Sequence, residues 1–179
     1  MSMAIRIAIV GAESTGKTVL AQALARRIGE LAPLRCTWVG EVLREWCGAQ
    51  GRTPRADEQA AIAGEQWRRI DAAARAHDVV VCDTTPLMTA VYSAMIFGDA
   101  SLEARAIEFQ RGCDATLLTA LDLPWIADGL QRDGPHVREP VDTRVRAQLR
   151  AHGLRWSVVR GTGQARQDSA IDGHGLFSY

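Results

Sequence analysis

Two glycines, a lysine and a threonine stand in the order Gly11-x-x-x-x-Gly16-Lys17-Thr18, directly after an apolar run from Ala4 to Val10. Glycines at both ends let the backbone curl so that successive N–H groups point inward, and the following helix presents its positive end to the same centre. Such a loop binds the phosphates of a nucleotide. Glu13, Ser14 and Thr15 lie within its curl, Lys17 reaches the β- and γ-phosphates, the Thr18 hydroxyl ligates Mg²⁺, and Val19 continues into the helix. The plainer alternative is an ordinary glycine-rich turn between a strand and a helix. Against it, Leu20, Leu24 and Ile28 recur every four residues while Gln22, Arg26 and Arg27 fall elsewhere, so the loop opens an amphipathic helix.

A second acid completes a metal site. Val79-Val80-Val81-Cys82-Asp83 is a hydrophobic strand ending in a carboxylate, the form of the residue that holds Mg²⁺ beside a phosphate loop. Open parallel sheets bind ligands at the carboxyl ends of their strands, which also selects Glu41, Thr84 and the stretch from Gly161 to Arg166. Glu41 can take the proton of a substrate hydroxyl, or it can simply be a helix N-terminal glutamate favoured by the macrodipole. Residues 128–140 hold two glycines and two prolines with no apolar periodicity. This segment is predicted either as a lid closing Arg132 and Arg138 over the phosphates or as a plain surface loop.

The elements that must position these residues alternate. Strand-like runs at Ala4 to Val10, Cys36 to Val39, Val79 to Cys82, Ala115 to Leu121 and Arg155 to Val159 are separated by longer helical stretches, among them one helix predicted from about Arg55 to His77. Alternation of this kind indicates an α/β protein with a parallel sheet covered on both faces. A chain of 179 residues, 47% hydrophobic, can bury one core, so residues 1–179 are expected to form a single domain with a tail from about 168.

Charge and cysteine usage bound the partners. With 21 basic and 21 acidic residues and no basic stripe, no nucleic-acid binding is expected. Cysteines at 36, 47, 82 and 113 match no zinc spacing, and no apolar stretch reaches membrane length. A cytoplasmic protein without a membrane partner is the expectation, and homo-oligomerisation stays open.

GAESTGKTVLA, the Glu41-Val-Leu-Arg44-Glu45-Trp46 stretch, Gln66, VCDTT at 81–85 and Pro124-Trp125-Ile-Ala-Asp128-Gly129-Leu-Gln-Arg132 together resemble the ribosylnicotinamide kinase domain of the bacterial NadR type. The resemblance spans roughly residues 4 to 166. It implies a three-layer P-loop nucleoside kinase fold with five parallel strands and a short lid, and transfer of the γ-phosphate of ATP, with Mg²⁺, to the 5′-hydroxyl of nicotinamide riboside. It also implies that Glu41, Arg44, Gln66, Asp83, Thr84 and Asp128 contact the nucleoside, while Trp46 or Trp125 stacks on its flat ring. Thr85 departs from the family, which carries a further acid there. Gly161-Thr-Gly163-x-x-Arg166 resembles the adenine-binding loop of small-molecule kinases, with Arg166 against the base. Larger members carry an adenylyltransferase domain, so this chain is expected to stop at the mononucleotide. The competing readings are a kinase of another nucleoside or small metabolite, a nucleotide-binding protein without turnover, and an ATPase or nucleotide switch; against the last, the guanine motif is absent and Asp83 lacks the following glutamate of ATPase motors.

Overall fold

The computed structural model describes residues 4–127 and 134–173. Among them the strands β1 (Ile5–Val10), β2 (Cys36–Val39), β3 (Val79–Asp83), β4 (Ala115–Thr119) and β5 (Ser157–Val159) form an all-parallel sheet in the order β2-β3-β1-β4-β5. The helices are α1 (Lys17–Leu31), α2 (Val42–Gln50), α3 (Gln59–Ala76), α4 (Pro86–Phe97), α5 (Glu103–Arg111), α6 (Arg138–Ala151) and α7 (Gly163–Asp172).

Side chains alternate across a strand, and here both sides are packed. Ile7, Ile9, Val79, Val81 and Leu117 face one way, against Leu20, Leu24 and Ile28 of α1 and Ala170 of α7. Val10 and Leu118 face the other way, against Leu87, Met88 and Val91 of α4 and Val141, Val145 and Leu149 of α6. Val80 and Cys82 meet Ile70 of α3 and Phe109 of α5. The result is three layers, as the alternating pattern predicts.

The register brings Ile9 level with Asp83 and Val10 level with Leu118, so the loops after β1, β3 and β4 leave from one edge. β1 is the strand about which the order reverses, the position where open α/β sheets build their sites. At that edge Gly11 has φ 145°, and a Cβ on it would lie 2.2 Å from Thr119 Oγ1. Only glycine lets β4 come so close behind the loop.

Three boundaries differ from the sequence reading. The long helix begins at Gln59 after a 3₁₀ turn at Ala56–Glu58, because the Glu58 carboxylate turns back to accept the Arg55 N–H at 2.8 Å. Arg138, Glu139 and Pro140 form the first turn of α6 rather than part of a lid, and residues 128–133 lie outside the described set. The expected tail from 168 is helical through Asp172, since Ala170 is fully buried against α1 and the sheet. No helix among the described residues is long and apolar enough to cross a membrane, and none of the four cysteines forms a disulfide.

Candidate active site

The loop between β1 and α1 is held in its curled shape from several sides. Lys17 Nζ donates to the Ala12 carbonyl oxygen at 2.8 Å, and Thr15 Oγ1 lies 2.7 Å from both that oxygen and Thr119 Oγ1. Ser14, with φ 54°, exchanges two bonds with Ile126: its Oγ accepts the Ile126 N–H at 2.8 Å and donates to the Ile126 carbonyl at 3.2 Å. Gly16, with φ 72°, starts α1 from a left-handed conformation that costs a glycine little.

Thr18 and Asp83 meet beneath this loop. The Thr18 hydroxyl donates to the Asp83 carboxylate, whose Oδ1 is buried with no partner among the described residues. Burial pushes the Asp83 carboxyl above the usual carboxylate range, opposed by Thr18 and by the nearby charges of Lys17 and Arg44. One hydroxyl and one carboxylate with an unused oxygen fit Mg²⁺, which takes few protein ligands and keeps phosphate oxygens and water. In line with that mode, the described residues contain no cluster of three or more acidic or His/Cys side chains that could cage an ion.

A cleft opens from the loop toward α2, α3 and α4. Gly11, Glu13, Lys17, Glu41 and Arg44 line its phosphate-side end, and Thr84 joins them with φ 71°. A buried threonine in the left-handed region is strained, and such residues concentrate at functional sites. The remainder of the wall is largely apolar: Leu43, Pro54, Met88, Tyr92, Ile96 and Phe97.

Glu41 is held there by its neighbours. It is the residue immediately before α2, so its side chain leaves from the strand-to-helix turn, and Arg44 approaches its carboxylate at 3.6 Å. On either side, the buried Gln66 takes up the backbone: its Oε1 accepts the Val42 N–H at 2.8 Å and its Nε2 donates to the Gly40 carbonyl at 3.1 Å. Gln66 was expected to contact the nucleoside. Its amide instead fixes the turn that aims Glu41.

Other residues expected at the site also stand elsewhere. Trp46 lies on the outer side of α2, in a groove with Val42 and Ile62, under the Arg52 guanidinium at 4.8 Å. Trp125 is half-buried outside the cleft wall, and its Nε1 is enclosed without a partner among the described residues. Arg138 is buried and donates to the Leu123 carbonyl at 3.0 Å, so at this position it braces the segment behind Gly16. Arg166 was expected to stack on adenine. It is instead buried, donating to the carbonyls of Thr15 at 2.5 Å and Gly161 at 2.9 Å and to Asp122 at 3.2 Å. Burial disfavours ionised Asp122, but the Gly161 N–H and the Arg166 guanidinium outweigh it and hold its carboxyl below the usual range. Gly161 (φ 86°) and Gly163 (φ 52°) shape the turn that makes this anchorage. Thr85 hydrogen-bonds inward to Gln110 Oε1 at 2.8 Å and does not line the cleft. Asp128 and Arg132 lie outside the described residues.

The acceptor-side wall was missed by sequence reasoning, although a signal exists. Met88, Tyr92 and Ile96 recur every four residues along one face of α4. The loop carrying Thr53 and Pro54 has no such signal and is placed by Arg52, which bonds to Glu58 at 2.7 Å and 2.8 Å and covers Trp46. The Arg52 bond, then the Arg55 N–H, holds the Glu58 carboxyl down to about 2, so the clasp is intact at neutral pH and loosens only as pH falls through that value. Because Arg52 touches no phosphate-side residue, Arg52→Ala is expected to raise the KM of the second substrate about three- to tenfold through loss of loop order, leaving the KM for ATP unchanged. Steady-state kinetics with each substrate varied in turn checks this; equal changes in both KM values would contradict it.

Comparison with known proteins bears on the family and the fold. A family model described as an AAA domain matches residues 6–166. No curated protein matches the chain. Among solved structures, a NadR protein in complex with NR superposes with a TM-score of 0.75 at 22% identity, covering 98% of this chain and 51% of that one. The chain thus spans about half the length of that NadR structure. A thymidylate kinase from Ehrlichia chaffeensis gives 0.65 at 15% identity, covering 98% of this chain and 99% of that one. A deoxyadenosine kinase from M. mycoides with bound dATP gives 0.64 at 12%, covering 94% and 97%. The fold is that of the P-loop nucleoside and nucleotide kinases.

Proposed function

The chain belongs to the AAA domain family, and from that premise we propose that it is an ATP-dependent kinase that phosphorylates the 5′-hydroxyl of nicotinamide riboside. The observation that carries the reading is a single cleft lined by Lys17 and Glu41 at one end and by Tyr92, Met88 and Phe97 beyond. A polyphosphate loop that opens into an apolar cleft with a carboxylate at its mouth is built for a second, flat substrate. A bare ATPase has no use for that volume. The likeness to a NadR protein holding NR supports the choice of acceptor.

In this mechanism the inward N–H groups of Gly11 to Gly16 and the α1 N-terminus bind the β- and γ-phosphates. Lys17 neutralises charge on the transferring group. Thr18 and Asp83 are the residues that would hold Mg²⁺, which when bound offsets the charge of the β- and γ-oxygens. Glu41 accepts the proton of the acceptor hydroxyl as its oxygen bonds to the γ-phosphorus; the bond to the β-bridging oxygen breaks and ADP leaves. Arg44 steers and steadies the Glu41 carboxylate. Tyr92 offers an aromatic face to the pyridinium, whose positive charge also suits Glu13 and Glu41 nearby. The reaction belongs in the cytoplasm, where ATP and a reducing milieu accompany unbridged cysteines.

ADP release measured with no acceptor and with nicotinamide riboside, thymidine and deoxyadenosine tests the proposal. ATP-dependent mononucleotide formation from nicotinamide riboside is expected. Acceptor-independent ADP release at the same rate would make the chain an ATPase, and efficient turnover of another nucleoside alone would replace the acceptor.

Asp83 supplies a separate check. Because burial raises its pKa, its cost to folding is absent below the ordinary aspartate range, grows between that range and the raised value, and is complete above it. Asp83→Asn removes that cost, so at neutral pH it is expected to raise Tm by about 2–4 °C, corresponding to about 1 kcal/mol. The same change should weaken Mg²⁺-dependent ATP binding. In the unaltered protein that binding should fall with acidification at a pH above the ordinary aspartate range. Thermal melts and ATP titrations with Mg²⁺ across pH read both; a lowered Tm would refute the burial argument.

A further inference from the structure

Gln59 is the first residue of α3, is 3% exposed, and lines the cleft. Its Oε1 is enclosed with no partner among the described residues. A buried amide oxygen left without a donor carries a desolvation cost, and a ligand that donates to it removes that cost. The contrast with Gln66 is direct. That residue lies seven positions on, on the same buried face of α3, and both ends of its amide are engaged.

The spacing gives Gln59 its place in the site. Seven residues of helix span two turns, ~10 Å. Gln66 marks the turn that carries Glu41, so Gln59 stands about one nucleoside length from the group that receives the hydroxyl proton. Pro54, Met88 and Tyr92 line the same cleft and can enclose a flat ring, while Thr53 adds a hydroxyl to the wall. The wall is therefore mostly apolar and includes one side chain, Gln59, that can donate and accept in the same plane.

Resting on the kinase reading above, we infer that Gln59 is the residue that selects the base of the acceptor, pairing its amide with a planar carboxamide on the ring. A carboxamide returns both a donor and an acceptor. A carboxylate in its place returns acceptors only and faces Glu13 and Glu41 in the same cleft. Gln59 thereby favours the amide over the acid form of the pyridine riboside.

The test compares nicotinamide riboside with nicotinic acid riboside as acceptors for the unaltered protein, Gln59→Met and Gln59→Glu. Methionine keeps the volume but has no hydrogen-bonding head, so its KM for nicotinamide riboside should rise about tenfold or more, with kcat within about threefold and the KM for ATP unchanged. The amide-to-acid ratio of kcat/KM should fall about tenfold. Glutamate can still accept from the carboxamide and repels the acid, so Gln59→Glu should keep or widen that ratio. Because Glu13 and Glu41 disfavour the acid in every variant, the change in ratio isolates Gln59. An unchanged ratio in Gln59→Met, with nicotinamide riboside still a good substrate, overturns the assignment of Gln59 and leaves the kinase reading standing. No turnover of nicotinamide riboside by the unaltered protein, with another nucleoside accepted, overturns the riboside reading and the carboxamide assignment together.

Discussion

Lys17→Ala lowers kcat by on the order of 10² to 10³, the loss expected when one preorganised positive donor is removed from a developing charge. In the structure the ammonium rests 2.8 Å from the Ala12 carbonyl, inside the loop and facing the cleft. It therefore waits where the phosphates arrive and needs no large rearrangement to reach them. Alanine removes the bond to Ala12 and nothing from the packed core, so the melting temperature should stay within a few degrees. Single-turnover measurement at saturating ATP separates the loss in chemistry from weaker binding. Turnover within a factor of three of the unaltered protein would remove the loop from the mechanism.

Glu41→Gln should cost on the order of 10² to 10⁴ in kcat, the range for loss of a general base, with little change in the KM for ATP. The substitution is close to isosteric. Glu41 precedes α2 without making a side-chain cap bond, and Gln66 holds the flanking backbone, so the turn survives the change. Paired with Asp83→Asn the experiment assigns the proton. If Glu41→Gln turns over normally while Asp83→Asn loses kcat even at Mg²⁺ and ATP concentrations that saturate it, the hydroxyl proton passes to Asp83 and Glu41 is left with an orienting role. If Glu41→Gln alone loses kcat while Asp83→Asn loses Mg²⁺-dependent binding, the roles stand as derived.

The order of strands and helices was legible because burial on two faces leaves apolar runs, and residues 7–10 of β1 and 79–82 of β3 form such runs without a polar interruption. The phosphate loop was legible for a different reason: its chemistry depends on backbone shape, and the glycines that permit the shape are visible in sequence. Glu41 and Asp83 were found because strand ends converge on one edge. The acceptor cleft was less visible. Which way a tryptophan points depends on which helix face its neighbours cover, and Trp46 points away because Arg52 holds it outside. Gln66 was marked for a nucleoside contact and Arg166 for adenine, yet Gln66 engages the backbone of Gly40 and Val42, and Arg166 donates to the carbonyls of Thr15 and Gly161 and to Asp122. Their partners are distant in sequence, and local spacing carries no record of them.

The Arg166 contact with the Thr15 carbonyl joins residues 151 positions apart, and this bears on when the protein becomes competent during synthesis. β1 leaves the ribosome first, but its flanking strands β3 and β4 follow much later, and Thr119 must arrive before Gly11 has its wall. At about 5–20 residues per second, the interval between Thr15 and Arg166 is roughly 8–30 s. During it the nascent chain carries an intact motif with no anchored loop. Nucleotide capture is therefore a late event, and ATP can stabilise the finished fold without engaging the growing chain.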